Sequence, residues 1–195
     1  MQKIFGPKNS VLSFIFVIAI ALIIAALLTM FVFQQYQVDG SSMRTTLQNG
    51  NRLIVDKVPR TWARITGHPY IPKRGDIIVF VENGLYGLND SGSDQLIKRV
   101  IGLPGDRVVI RNGYVTIYDK AHPNGFRPDA TLPYGKVIPY TSGNLDLVIP
   151  KDEVFVMGDN RGDSLDSRIF GPVPVSNIIG QLVVRIYPIN EVSKF

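Results

Sequence analysis

Ser41 and Ser42, followed at once by Met43, stand in VDGSSMRTTL (Val38 to Leu47), a polar stretch just beyond a long apolar one. Serine and glycine are ordinary loop formers, so one reading is a turn that opens a soluble domain. The other is a nucleophile. A serine hydroxyl attacks only when a base takes its proton, and this chain offers few bases. It has no cysteine, which removes thiol nucleophiles, disulfides and Cys-based zinc sites. Its two histidines, His68 and His122, each precede a proline, which pushes them toward extended loop geometry and away from a His-based triad or metal centre. Lysine remains. To act as a base it must be neutral, which requires burial among apolar groups or a nearby positive charge. Lys98 follows Leu96 and Ile97 and precedes Val100 and Ile101. In a strand, Leu96, Lys98 and Val100 share one face, so the amine can point into an apolar pocket. A solvated strand lysine has the same spacing, and spacing alone does not separate the two. Arg99 points the other way, toward a structural role.

A third polar island, MGDNRGDSLDSRIFGPV, lies near the C-terminus. DNRGDSLD looks at first like a cation loop. Counting from Asp159, however, glycine falls at the fourth position rather than the sixth, and Phe170 replaces the glutamate of the twelfth, so a helix-loop-helix calcium site fails. The remaining structural reading is a loop tied by Asx turns and by salt bridges among Asp159, Arg161, Asp166 and Arg168, which is compatible with supporting a catalytic centre.

The elements that position these islands are of two kinds. Ser10 to Phe33 carries no charge over about 24 residues. As a helix it extends about 36 Å, enough for a hydrocarbon core of about 30 Å. It is too long for the apolar region of a cleavable leader, and QQYQVDG after it offers no small-x-small site, so an uncleaved anchor is expected. Lys3 and Lys8 precede it, and the first basic residue beyond it is Arg44. The positive-inside rule then places residues 1–9 in the cytoplasm, residues 10–33 in the membrane and residues 34–195 outside. Beyond the anchor, NRLIVDKV, GDIIVFV, EVFVMGDN and GQLVVRIYP read as strands. VVIRNGYVTIY reads as a hairpin with Asn112-Gly113 at its tip, and GLPGD as a tight turn. No soluble helix with a sustained 3.6-residue period stands out. The expectation is a mainly β, antiparallel domain behind one transmembrane helix, with Lys120–Pro150 as an extended excursion rather than a second domain. A net charge of +5 is spread without a run of five basic residues. That argues against a nucleic-acid partner and fits a domain beside an anionic bilayer.

Taken together, GSSMRTTL, RGDIIVF, KRVIGLPGD and GDNRGDSLDSRIFGPV, in that order behind an apolar segment, resemble the bacterial type I signal peptidases in their Gram-positive form. The resemblance covers most of the chain except Lys120–Pro150. It implies that Ser42 is the nucleophile and Lys98 its general base. Asp166 and Arg168 would form a supporting salt bridge, and Ser164 would orient the lysine amine. Asp159 and Arg161 would be structural, and Val38, Met43, Val79 and Ile97 would line shallow pockets for small substrate side chains. Two departures stand out. Gly40 occupies a position where some relatives carry a serine that helps bind the oxyanion, leaving the Ser42 main chain, with Gly40 or Ser41, as donors. Thr45 replaces a usual proline.

The activity so implied is removal of N-terminal signal peptides after small-x-small sites by a Ser-Lys dyad, without metal or organic cofactor. Its partners would be signal-peptide-bearing preproteins and membrane lipid, with the secretion machinery nearby and no nucleic acid. Two other readings stay open on sequence. A self-cleaving repressor would also use serine and lysine, but needs a DNA-binding module where this chain has an apolar segment. A membrane-tethered assembly factor would keep the fold without the chemistry.

Overall fold

Strands in the soluble part alternate buried and exposed positions, as Arg52–Asp56 does with Leu53 and Val55 inside and Arg52 outside, and a period of two admits only a sheet with one face on a core. The structure, a computed structural model, describes residues 7–83, 93–138 and 140–195. Lys3, one of the two lysines behind the expected orientation, lies outside them. The chain opens with α1 (Pro7–Phe31), whose Val11–Phe31 portion is long and apolar enough to cross a membrane. After Val32 it continues as β1 (Phe33–Gln37). The apolar run was expected to stay helical to Phe33, but Phe33 pairs with Asp56 and the Val32 carbonyl accepts from the Lys57 N–H at 2.7 Å.

The remaining elements are β2 (Arg52–Asp56), α2 (Val58–Thr66), β3 (Ile77–Asn83), β4 (Ser93–Gly102), β5 (Arg107–Arg111), β6 (Tyr114–Tyr118), α3 (Pro128–Thr131), β7 (Leu145–Val148), β8 (Glu153–Met157), α4 (Ser167–Phe170), β9 (Val173–Pro174), β10 (Ile178–Tyr187) and β11 (Ser193–Lys194). All pairings among the described residues are antiparallel. The main sheet runs β1-β2-β10-β3-β4-β8-β9, with β11 beside β10, and a second sheet runs β6-β5-β7. The mainly β class and most of the expected strands are therefore present. The Asn112-Gly113 hairpin tip adopts φ of 53° and 85°, the left-handed pair a two-residue turn requires.

α2 was not expected. Its period shows in only nine residues, too short a window to stand out, yet Pro59 suits its first turn and Gly67, at φ 72°, ends it with an N–H bond to Ala63 O of 2.9 Å. The excursion Lys120–Pro150 is also more integrated than expected, since β7 within it pairs with β5.

β4 joins two cores. Val100 packs with Ile78, Phe80, Val154 and Val156, while Ile101 packs with Val108, Ile117, Ile149 and Phe155. At the end of β4, Gly102 leaves no space: a Cβ there would lie 2.3 Å from Ile149 Cδ1 and 3.0 Å from Val108 Cγ2. Gly102→Ala should overpack this junction and cost about 1–3 kcal/mol, read as a lower midpoint in thermal or denaturant unfolding of the full chain.

Candidate active site

The segment carrying Ser42 is held from both ends. Val38 exchanges main-chain bonds with the next loop, donating to Asn51 O and accepting from Gly50 N, both at 2.9 Å. Gly40 follows at φ 103°, a left-handed backbone that any side chain would strain. The chain then coils, with Arg44 N–H bonded to Ser41 O and Leu47 N–H to Met43 O. Met43 and Leu47 are buried with Val38, Leu53, Ile77 and Leu182, which fixes the coil on the sheet. From the other side the loop after β8 grips it. Asn160 donates its N–H to Ser42 O at 2.9 Å and its side-chain amide to Ser41 O at 3.1 Å.

Lys98 arrives from β4, opposite Ile78 of β3. Its side chain is sunk, with only 3% of the residue exposed, and Nζ donates to Ser42 Oγ at 2.8 Å and to Ile97 O at 3.0 Å. Burial drives the amine from 10.5 down to about 8, against the opposing pull of the Asp166 carboxylate. A useful fraction is therefore neutral near neutral pH. In that state the same contact reverses, with the Ser42 hydroxyl donating to the nitrogen lone pair. A solvated strand lysine is excluded by this geometry.

The loop around the dyad is a network of buried ion pairs. Arg168 closes on Asp166 through Nε and Nη2, both at 2.8 Å, and Asp166 also accepts from Gly158 N–H at 3.1 Å. The other two expected members do not pair with each other. Asp159 takes both forks of Arg99, at 2.8 and 2.6 Å, and a hydroxyl bond from Thr46. Arg161, its side chain 1% exposed, instead grips Asp129 of α3 at 2.6 and 2.7 Å and also donates to Thr141 and Gly158 O. Arg168 in turn reaches Arg161 O at 2.7 Å. Asp129 and Thr141 were missed because partners far apart in sequence carry no local signal. Ser164 Oγ is buried with no hydrogen-bond partner among the described residues, so the contact with the lysine amine expected of it is not made here. It lies over Gly158, where a Cβ would come within 2.2 Å of it and 2.5 Å of Ser42 O.

A cleft of about 450 Å³ opens beside the dyad. Of the four residues expected to line substrate pockets, Val38, Val79 and Ile97 do so. Met43 does not: it is in the core beneath, 1% exposed, where its sulfur accepts the Asp159 N–H at 3.4 Å. Tyr36, Leu53 and Leu165 line the cleft without having been singled out. Among the expected oxyanion donors, the Gly40 N–H is already committed to Asn49 Oδ1 at 3.1 Å, and the Ser41 hydroxyl donates to Asp163. The Ser42 N–H makes no bond among the described residues, so it alone of the three is free to turn to a substrate.

A contact between a half-buried serine and a buried lysine on an antiparallel β scaffold, beside a cleft with small apolar walls, defines a candidate serine hydrolase that works without histidine. The model of the signal peptidase family, peptidase S26, matches residues 11–187. A probable signal peptidase I-1 of Synechocystis is 37% identical over 174 residues, covering 88% of this chain and 80% of that one. A signal peptidase I P of Bacillus subtilis subsp. natto is 38% identical over 174 residues, covering 86% and 83%. A solved signal peptidase I from Enterococcus faecalis shares 27% identity, with a TM-score of 0.42 over 57% of this chain and 97% of that one. The chain belongs to the signal peptidase family, peptidase S26.

The Arg161–Asp129 pair yields a test of how the loop is held. In Asp129→Asn the Arg161 charge stays buried with its counter-charge gone. Loss of one partner of a buried pair costs about 3–5 kcal/mol, so unfolding should move to clearly lower denaturant. Double substitution to Asp129→Leu with Arg161→Met should recover a large part of that loss.

Proposed function

We propose that this chain is a membrane-bound serine endopeptidase that removes N-terminal signal peptides from exported preproteins, with Ser42 as nucleophile and Lys98 as general base. The carrying observation is the 2.8 Å contact between Lys98 Nζ and Ser42 Oγ at an amine lowered to about 8. Neutral Lys98 takes the hydroxyl proton as Oγ attacks the scissile carbonyl, and the Ser42 N–H faces the developing oxyanion. The protonated amine then delivers its proton to the leaving amine, releasing the mature protein and leaving the signal peptide esterified to Ser42. Lys98, neutral again, activates the water that hydrolyses the ester. Asp166 and Arg168 hold the loop that backs the dyad, while Asp159 and Arg161 anchor its ends.

Substrate enters as an extended strand. The outer edge of β1, continuing toward Gly40, and the Gln95–Ile97 edge of β4 are both unpaired among the described residues and border the cleft. Main-chain bonds to these edges supply affinity, and Val38, Val79 and Ile97 select small side chains at the −1 and −3 positions. On the membrane, α1 spans once with its N-terminus in the cytoplasm, and the domain after Gln34 works outside, next to lipid and close to the secretion machinery.

Two measurements test this reading. Lys98→Arg keeps charge and length but has no accessible neutral state. It should lose preprotein cleavage by about 10³-fold or more while circular dichroism shows an intact β domain. In the wild type, cleavage should fall as pH drops through about 8, because protonation removes the base, and should level off above it. A folded arginine variant with near-normal turnover would remove Lys98 from the mechanism. On specificity, a preprotein with alanine at −1 should be cut at that bond, and its phenylalanine counterpart should accumulate uncut, as judged by mass analysis of the products.

A further inference from the structure

α2 is mounted inside out. Val58, Trp62 and Ile65 recur at helical spacing on one face, and that face points away from the protein: the three are 44%, 65% and 73% exposed. The opposite face, with Arg60, Ala63 and Arg64, borders a groove of about 350 Å³ with Tyr70 and Val175; Arg60 and Ala63 are half-buried there, and Arg64 is exposed at its rim. Arg60 Nε is even buried there without a partner among the described residues. A surface helix surrounded by water takes the reverse arrangement, apolar side in and arginines out. An outward apolar stripe carrying a tryptophan needs an apolar neighbour.

The position of α2 says which neighbour. Its entry is tied to the last turn of α1: Thr61 Oγ1 donates to Phe31 O at 3.0 Å, Lys57 Nζ to Thr29 O at 3.1 Å and Lys57 N–H to Val32 O at 2.7 Å. The helix therefore sits at the level where the membrane-crossing segment ends, and Phe31 and Phe33, at that end, are also exposed. Tryptophan favours the boundary between hydrocarbon and headgroups, and helices lying in that plane carry basic residues on the face turned from the acyl chains. We infer that α2 is a second membrane contact, an interfacial helix that beds Val58, Trp62 and Ile65 into the same bilayer that α1 spans. It holds the domain at a fixed tilt over the lipid, and does so whatever the chemistry of Ser42.

Trp62 is the only tryptophan in the chain, so the unmodified protein reports on itself. The full chain is reconstituted into vesicles of phosphatidylethanolamine and phosphatidylglycerol, with and without lipids brominated along their acyl chains. Trp62 emission should be blue-shifted, strongly quenched by the bromolipids and shielded from aqueous acrylamide, with quenching strongest for bromines about 5–10 Å inside the headgroup boundary. In Trp62→Phe/Arg64→Trp the reporter moves to the groove side of the helix, away from the apolar stripe, and bromolipid quenching should be largely lost. An unquenched, acrylamide-accessible Trp62 would overturn the inference. So would a Trp62 shielded from acrylamide yet untouched by bromolipid, which would assign the face to a second copy of the chain. Equal bromolipid quenching at position 64 would overturn the orientation. None of these readings requires turnover, so they stand or fall apart from the catalytic assignment.

Discussion

The whole site depends on keeping one amine dry. A lysine in water holds its proton at neutral pH and cannot serve a serine, and a carboxylate nearby makes it hold that proton harder. Lowering Lys98 from 10.5 to about 8 corresponds to roughly 3 kcal/mol taken from its charged form, and burial between the strands supplies it. Of the two buried carboxylates in the loop after β8, Asp166 pulls against this shift. Asp159 is closed by Arg99 and Asp166 by Arg168, each through both forks of a guanidinium. These pairs are weak sources of stability, because the arginine and the acid both lose water. Their value here is that each carboxylate is paired with an arginine, and the pull that Asp166 still exerts on the amine is outweighed by burial.

The same loop is a junction. It binds the serine segment through Asn160, the lysine strand through Asp159 and Arg99, and the region around α3 through Arg161 and Asp129. Ser42 and Lys98 come from elements far apart in the chain, and their 2.8 Å contact is held by a third element that touches both. Gly158 shows how tight the fit is, since even one methyl group there would strike Ser164 and the Ser42 carbonyl.

Much of this was legible in the residues and some was not. The strands and the Asn112-Gly113 hairpin follow from local pattern, because a period of two and a left-handed turn are written in a few neighbouring positions. The pairing of Ser42 with Lys98 was legible only through family resemblance; spacing alone left Lys98 open to being a solvated cation. Partner choice among charges was misread. Asp159, Arg161, Asp166 and Arg168 look like a closed set, but two of the four residues pair outside it, with Arg99 and Asp129, which the fold brings in from elsewhere. Met43 was misplaced for a related reason: its neighbour Ser42 faces the cleft, and the coil after Gly40 turns the next side chain into the core. α2 escaped notice because nine residues hold too few turns for a period to emerge.

One residue, Val32, separates the end of α1 from the start of β1, and its carbonyl is itself held by Lys57. A joint that short has no swivel. Ser42, the proposed nucleophile, follows the end of the apolar helix by way of β1, whose five residues span about 17 Å at the rise of an antiparallel strand. The chain is thus a gauge as much as a blade. On the proposed assignment of Ser42, it would measure how far a peptide bond stands from the edge of an apolar segment before cutting it.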